Sequence, residues 1–300
     1  MLSVCIPVYN KNITPLVLEL SRQIEQLGAS VEILVLDDGS SQAVIDARSE
    51  IKRVRLIRNE DNLGRSKARN RLLREANGPF MLLLDAGSEI LNSRFLGAWI
   101  ANLQTNHALV YYGGSIYQPV APDESHYLHW KVGSGRESKS FAFRQKKLAS
   151  FKTNNTVIHK QVFSELKFEE SLVQYGHEDT LYGFELSQRN IEVRQVNNPV
   201  RNALKDTNEQ FLKKTGLAIE NLVSASDKAS SPQLFREFVK LFKAYERIKR
   251  WRLLGVISWL DGVMLGWLEA QLLSGNRLLI LLKYDLYKLL VLNRVLGKEN

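Results

Sequence analysis

Short apolar segments alternate with helix-like segments through the first half of this chain, and this alternation limits the fold more than any other feature. The helix-like segments show a 3.6-residue periodicity, and the first two end at glycine. Such repeats predict βαβ units, which form a parallel sheet with right-handed crossovers and flanking helices. Strands are predicted over residues 2–8, 31–41 (a strand that ends in a turn), 54–59, 80–87 and 108–117, and helices over 14–27, 64–77 and 93–105.

The second half predicts a polar excursion, a return to the sheet and a helical tail. Residues 118–152 are polar and rich in proline and glycine, so we expect them to pass over the edge of the sheet. Helices are predicted over 176–190 and 206–224, a strand over 191–202 and a linker over 225–233. We therefore expect an α/β domain over residues 1–224 and a helical C-terminal extension over residues 233–300.

Charge and cysteine content narrow the class of protein. The net charge is +9, and residues 201–300 hold 17 basic and 10 acidic residues, a net +7. This imbalance favours a polyanionic partner or an anionic membrane surface for the tail. Cys5 is the single cysteine and lies in an apolar run without a charged leader, so we expect a core residue, no signal peptide and a cytoplasmic location.

Polar clusters follow three of the predicted strands. They are "PVYN" (7–10), "DDGS" (37–40) and "DAGS" (85–88). Ligands of parallel α/β sheets bind outside the carboxyl ends of the strands. Carboxylates there can accept hydrogen bonds from a pyrimidine or a ribose, and Tyr9 can stack on a base. Each cluster alone also fits a turn or a helix cap, but together they favour a shared ligand site.

A fourth cluster, "NLGRSKARN" (62–70), places a glycine turn before a helix that begins with Arg65, Lys67 and Arg69. Free N–H groups and cations at a helix N-terminus suit an anionic ligand. The alternative is a solvated basic helix face.

These motifs together resemble the family-two glycosyltransferases of the GT-A fold. "VCIPVYN", "VLDDGSS", "NLGRSKARN" and "LLLDAG" occur in the family's order and spacing, and "YGHEDTLYGFEL" is similar to its acceptor-side Glu-Asp motif. "KYDLYKLL" is similar to a segment of some bacterial members. The resemblance covers about residues 1–215. It implies a GT-A-like (Rossmann-like), mostly parallel sheet, a nucleotide-sugar donor such as a UDP- or GDP-sugar, a hydroxyl acceptor and transfer with inversion.

The resemblance also implies roles for individual residues. Asp85 would match the first carboxylate of the family's Asp-x-Asp motif, near the ribose and the metal. Asp179, next to Glu178, would match the catalytic base, which a sugar hydroxyl needs because it is a poor nucleophile. The alternative for this acidic pair is a favourable position at a helix N-terminus. The nucleotide-sugar positions are Pro7, Tyr9, Asp37, Asp38, Asn62, Lys67 and Asp85.

Two positions depart from the family pattern. Gly87 stands where the second carboxylate is usual, and Asn202 stands where many members have a metal-binding histidine. Mn²⁺ or Mg²⁺ needs several oxygen ligands, so Asp85 with an amide oxygen predicts weak metal binding. Cationic side chains would then have to compensate the negative charge of a diphosphate. The alternative for each of them is that it is simply exposed to solvent. The candidates are Arg65, Lys67, Arg201 and Lys205.

The C-terminal extension has two possible locations, on a membrane or within a protein core or dimer. Residues 233–251 predict a basic, aromatic helix that either lies on an anionic membrane surface or packs in a core or a homodimer. Residues 253–273 are long enough to cross a bilayer, but Asp261 and Glu269 oppose insertion, so we predict no span. The expected partners are a nucleotide sugar and a glycan or lipid-linked acceptor, without nucleic acid. The rival hypothesis is a non-catalytic nucleotide-sugar-binding homologue that serves as a partner subunit.

Overall fold

Two sheets form the α/β part of the computed structural model, which describes residues 1–28, 30–46, 51, 53–146, 151–204, 206–274 and 277–298. Within these residues the larger sheet has the strand order β3-β2-β1-β4-β8-β6-β9 and the smaller one the order β5-β10-β7. The strands are β1 (Leu2–Val8), β2 (Val31–Asp38), β3 (Val54–Asn59), β4 (Phe80–Leu83), β5 (Ser88–Ile90), β6 (Val110–Tyr112), β7 (Ser115–Ile116), β8 (Thr156–His159), β9 (Val193–Gln195) and β10 (Val200–Asn202).

Helices cover the large sheet and form the C-terminal part of the chain. The helices are α1 (Thr14–Leu27), α2 (Arg65–Glu75), α3 (Phe95–Thr105), α4 (Tyr127–Val132), α5 (Phe141–Lys146), α6 (Lys160–Glu165), α7 (Glu178–Gln188), α8 (Asn208–Lys228), α9 (Pro232–Phe238), α10 (Lys240–Arg250), α11 (Leu254–Leu273) and α12 (Ile280–Lys298).

The expected mostly parallel sheet is confirmed. β1 pairs in parallel with both β2 and β4, β2 pairs in parallel with β3, and β6 pairs in parallel with β9. β8 is the exception, since it runs antiparallel between β4 and β6. β1 is apolar on both faces because helices cover both, and burial raises the pKa of the Cys5 thiol far above its usual range.

Three predicted strands differ from the structure. The strand predicted over 80–87 ends at Leu83, so Asp85 lies in the loop that leads to β5. The strand predicted over 108–117 divides into β6 and β7 of different sheets. Gly113 and Gly114 lie at the break, where φ of Gly114 is 86° and a side chain at either position would collide with Asn155 or Arg144. The strand predicted over 191–202 likewise divides into β9 and β10.

The remaining differences concern the polar excursion and the C-terminal end of one predicted helix. The polar excursion over 118–152 contains α4 and α5, a 3₁₀ turn at Glu124–His126 and a π-helical turn at Gly133–Glu137. The helix predicted over 206–224 continues to Lys228, so residues 225–228 of the predicted linker are helical. A capping box of Thr207 and Gln210 fixes where α8 begins.

Contacts between Cα atoms divide the chain into two compact units. The first comprises Met1–Tyr117, Glu137–Val173 and Leu186–Ala203, and it holds both sheets. The second comprises Gln118–Arg136, Gln174–Glu185 and Leu204–Asn300, and it is helical.

In the second unit, α12 packs against α8, α10 and α11. The helix predicted over 233–251 is interrupted at Val239, whose φ of −84° and ψ of 123° end α9 and begin α10. Phe235 and Phe242 of these helices are fully buried and contact each other edge to face. Among the described helices, none combines the length and the hydropathy that a bilayer crossing needs.

Candidate active site

The ends of β1 and β2 are joined by hydrogen bonds in the first unit. The backbone N–H of Asn10 donates to the Ser40 hydroxyl (2.8 Å), and the Asn10 side-chain oxygen accepts from the Ser41 N–H (2.9 Å). Asn10 adopts a left-handed φ of 46°, which asparagine tolerates better than most residues. These bonds hold the Tyr9 loop beside the "DDGS" turn and leave the Tyr9 ring half exposed.

Asp37 is buried at the end of β2 and caps the turn that follows. One carboxylate oxygen accepts from the Ser40 N–H (2.9 Å), and the other lies 3.7 Å from the Arg58 guanidinium. Arg58 also donates to the Ser40 carbonyl (2.8 Å). Asp37 therefore shapes the turn, and its predicted contact with a nucleoside stays a prediction.

Asp38 anchors the loop that contains Asn62. The carboxylate is 5% exposed and accepts from the backbone N–H groups of Leu63 and Gly64, both at 3.0 Å. The Asn59 amide donates to the same group (2.5 Å). Asn62 itself is exposed and accepts from the Gly64 N–H (3.1 Å). Asp38 thus positions the segment where α2 begins, a structural task additional to its predicted ligand role.

We expect Asp38→Ala to lower both the thermal midpoint and the nucleotide affinity. The substitution removes the acceptor for two loop N–H groups, and each lost hydrogen bond to a carboxylate costs about 1.5–3 kcal/mol. That corresponds to a fall of roughly 5–20 °C for a chain of this size. Asp61→Ala is the matched control, because Asp61 lies exposed in the same loop. Equal midpoints and affinities for the two variants would contradict this role of Asp38.

Asp85 lies past the end of β4 and pairs with a buried cation. The Arg69 guanidinium is 3% exposed, lies 3.3 Å from a carboxylate oxygen of Asp85 and stacks over the Phe168 ring (5.6 Å). The Asp85 side chain is 43% exposed. A buried guanidinium needs a counter-charge, so this pair fixes the carboxylate at the strand end.

Asn154 connects Asn202 to the Asp85 loop, which also contains Gly87. Its side-chain oxygen accepts from the Asp85 N–H (3.0 Å) and the Ser88 hydroxyl (2.8 Å). Its amide nitrogen donates to the Asn202 side-chain oxygen (2.8 Å). The Ala203 N–H donates to the Gly87 carbonyl (2.9 Å), which closes the loop against β10. The Asp85 loop and Asn202 therefore belong to one hydrogen-bonded group.

The donor set near Asp85 does not fit a firmly held divalent cation. A guanidinium already pairs with the carboxylate, and the Asn202 oxygen already accepts a hydrogen bond. Across the part of the chain that the structure describes, no three His, Cys, Asp or Glu side chains are grouped as metal ligands. A hard cation that prefers several carboxylate or carbonyl oxygens would have to share Asp85 with Arg69 and to displace Asn154 from the Asn202 oxygen.

The predicted diphosphate cations differ in their surroundings. Arg201 lies opposite Glu89 in the β5–β10 ladder and pairs with it through bonds of 2.9 and 3.0 Å. Arg65 is exposed and Lys67 is half buried in the first turn of α2. Lys205 lies outside the described residues. All four stay predictions, and Arg201 would have to leave Glu89 to bind an anion.

Helix α7 begins with Glu178 and Asp179, the acidic pair predicted to supply the catalytic base. Glu178 is buried and Asp179 half buried in the first turn. His177 precedes them with a left-handed φ of 67°, and its ring is hydrogen-bonded to the Thr180 hydroxyl (3.0 Å). The "HED" sequence therefore forms a defined helix start in the second unit, and the role of Asp179 stays a prediction.

The sequence analysis names Arg69 among the cations at the start of α2 but misses its contact with Asp85, and it misses Asn154 altogether. Arg69 has a detectable signal, because it shares one α2 face with Leu72 and Leu73 at i+3 and i+4, and a cation on an apolar face needs a partner. Asn154 has a weaker signal, a polar pair before the short β-branched segment of β8.

Sequence comparison finds relatives that match part of this chain. An uncharacterized glycosyltransferase from Haemophilus influenzae is 36% identical over 86 residues, or 28% of this chain and 29% of the relative. An uncharacterized protein from Mycobacterium tuberculosis is 37% identical over 95 residues, or 30% of this chain and 29% of the relative. The matched region thus spans less than a third of either relative.

Structural comparison supports the fold over the whole chain. A mannosyltransferase from Pyrobaculum calidifontis, solved with GDP-Man and Mn²⁺, superimposes with a TM-score of 0.58 at 15% identity, covering 100% of this chain and 86% of that one. The architecture is therefore GT-A-like, as predicted. The model of Glycosyl transferase family 2 matches residues 3–170, which include β1, β2, β4 and β8. Since this match covers more than half of the chain, the chain belongs to Glycosyl transferase family 2.

Proposed function

We propose that this protein transfers a sugar from a nucleotide-diphosphate sugar to a hydroxyl acceptor with inversion at the anomeric carbon. The observation that carries the proposal is the edge where Tyr9, Asp38 and Asp85 follow the parallel strands β1, β2 and β4. β2 and β4 flank β1, so they lie roughly 10 Å apart, which suits a nucleoside between their ends.

The expected roles follow the resemblance and the local structure. Tyr9 and the Asp37-Asp38 turn would hold the base, with Pro7 and Asn62 beside it, and Asp85 would face the ribose. Asp179 would remove the acceptor proton as the new bond forms, with Glu178 beside it. Proton removal by a fixed carboxylate on the side opposite the leaving diphosphate gives inversion.

Charge on the leaving diphosphate is proposed to be met mainly by protein cations. The Pyrobaculum mannosyltransferase was solved with Mn²⁺, but the Asp85 surroundings in this chain disfavour a firmly held ion. Arg65, Lys67, Arg201 and Lys205 are the candidates, together with the N–H groups at the start of α2. Mn²⁺ or Mg²⁺ would then bind weakly, shared among Asp85, the diphosphate and water.

A glycan or lipid-linked acceptor is the proposed second substrate, in bacterial polysaccharide or glycan assembly at the cytoplasmic face of a membrane. The supporting observation is the basic tail, with seven basic and two acidic residues from Arg236 to Arg252. The competing hypothesis for the tail is that it forms the contact between two copies in a homodimer. A non-catalytic partner subunit is the competing function, and Gly87 and Asn202 are the residues that favour it.

Nucleotide titration followed by a transfer assay tests the proposal. We expect UDP or GDP to bind by calorimetry, and the matching sugar nucleotide to be hydrolysed or transferred to an acceptor from a glycan panel. Asp85→Ala should weaken binding more than about tenfold, the effect of losing one hydrogen bond to a charged group. Glu60→Ala, an exposed acid in a nearby loop, should leave it unchanged.

The outcomes separate the hypotheses. Binding without turnover of any donor would favour the non-catalytic homologue. Absence of binding to either nucleotide would overturn both. Equal affinities of the Asp85 and Glu60 variants would limit Asp85 to a structural role beside Arg69.

A further inference from the structure

Helix α11 presents an apolar face that the described chain leaves largely exposed, with the Lys283 ammonium over the Trp267 ring (5.8 Å) as one contact. Trp259 is 65% exposed, Val263 61% and Trp267 51%. Gly262 and Gly266 lie between them and face open space, because a side-chain carbon at either would meet no atom within 4 Å. Large contiguous apolar surfaces of this kind mark sites of protein or membrane contact.

The exposed positions form one continuous stripe. At 100° per residue they fall within an arc of about 140°, and they extend over about 25 Å of the helix. Among the α11 residues whose side chains are described, none of the exposed ones is charged. Asp261 is half buried and pairs with Arg294 of α12 (2.6 Å), away from this stripe. The exposed positions are Gly255, Val256, Trp259, Gly262, Val263, Gly266, Trp267, Ala270 and Leu273.

Basic and further apolar groups border the stripe at both ends. Before α11, Trp251 is 67% exposed and the neighbouring Arg250 and Arg252 are exposed. After α11, Leu278 is 70% exposed beside the exposed Arg277. An apolar, tryptophan-containing face with cations at both ends matches the pattern of helices that lie in a membrane interface.

Helix α10 exposes basic side chains, whereas its aromatic side chains are buried. Its apolar side chains Phe242 and Tyr245 are buried, and Phe242 packs on Phe235. Lys240 and Lys243 remain exposed. The aromatic side chains of α10 are therefore used in the core. In α9, Leu234 and Phe238 are 46% and 38% exposed, and the larger exposed apolar surface lies on α11.

The charge around the stripe distinguishes between two partners that could cover it, a second copy of this chain and a membrane surface. A second copy of this chain would bring its own cationic border against the first, because a two-fold contact uses the same surface twice. Like charges that meet across an interface oppose association. An anionic lipid surface has the opposite charge and an apolar interior for the tryptophans.

We propose that α11 is the membrane-contacting element of this protein, with Trp259, Val263 and Trp267 inserted among the lipids and the exposed basic residues on anionic headgroups. This extends the proposed peripheral association by naming the helix that makes it. It does not depend on sugar transfer, so its failure leaves the proposed activity standing.

Vesicle sedimentation of the full chain tests this proposal. We expect binding to vesicles that contain phosphatidylglycerol, and little to phosphatidylcholine alone. Trp259→Glu with Trp267→Glu should lower the affinity more than about tenfold, because two large apolar side chains are lost from the bilayer. Val120→Glu is the matched control, since Val120 is 73% exposed and lies outside the stripe.

A charge variant tests the electrostatic part. Lys240→Gln with Lys243→Gln should weaken binding by about fivefold per charge, which is ~1 kcal/mol for each lysine near an anionic surface. Both lysines lie in the N-terminal half of α10, where a cation opposes the helix dipole, so their removal does not weaken the helix. Donor binding should be the same in all these variants.

Three results would overturn the assignment. One is equal sedimentation with neutral and anionic vesicles, and another is binding by the double tryptophan variant at the level of Val120→Glu. The third comes from light scattering without lipid: a dimeric parent that becomes monomeric in the tryptophan variant would show that a second copy covers the face.

Discussion

Asp179→Asn is expected to reduce sugar transfer by about 10²–10⁴-fold and to leave nucleotide affinity unchanged. The rate falls because the amide cannot accept the acceptor proton, and general-base catalysis contributes on that order. Affinity is kept because Asp179 is not among the residues predicted to contact the nucleoside. Transfer rates at saturating donor, together with nucleotide titration, measure the two effects separately.

The same variant distinguishes catalysis from helix stabilisation. Asparagine keeps the shape of the side chain and loses the charge–dipole term, about 0.3–1 kcal/mol, so we expect the thermal midpoint to fall by a few degrees. Asp227→Asn, an exposed acid near the end of α8, is the matched control for loss of one negative charge. If the Asp179 variant transfers sugar at the parental rate, its carboxylate is not the catalytic base.

Gly87→Asp combined with Asn202→His is expected to make nucleotide binding depend on metal. In the parent, Mn²⁺ should raise affinity only slightly, because Arg69 and Asn154 already hold Asp85 and Asn202. The new carboxylate and imidazole would add ligands that compete with these partners. Without metal, the variant should bind more weakly than the parent, since an added negative charge repels the diphosphate.

The measurement is a nucleotide titration of both proteins, with Mn²⁺ and with chelator, and the expected changes have opposite signs. Glu89→Gln is a useful companion, because it leaves Arg201 without its carboxylate and should strengthen binding without metal if Arg201 reaches the diphosphate. A parent that loses nearly all affinity in chelator would contradict the weak-metal interpretation. Asp85 would then hold the ion despite Arg69.

Local patterns account for what could be predicted. The bounds of β1, α1 and β3 agree with the sequence pattern, because each is a single apolar or amphipathic run between turn residues. The edge shared by Tyr9, Asp38 and Asp85 follows from parallel βαβ connections alone. These features need no information about distant parts of the chain.

Long-range pairing accounts for most of what was missed. Nothing within residues 153–159 indicates that β8 enters between β4 and β6, because its partners are supplied by other parts of the chain. The role of Asn154 depends on that insertion. The structural role of Asp38 was missed for a different reason. A carboxylate that binds a ligand and a carboxylate that accepts hydrogen bonds from loop N–H groups have the same sequence signature.

The position of β8 also affects how the protein is made. β1 to β4 can pair once about the first 83 residues are available, but β4 then presents an unpaired edge until Thr156–His159 follows. At typical synthesis rates this delay is about 4–15 s. An exposed strand edge is a template for pairing with other chains during that time. The nascent chain is therefore most prone to aggregate between the synthesis of β4 and that of β8, a period when chaperone binding would matter most.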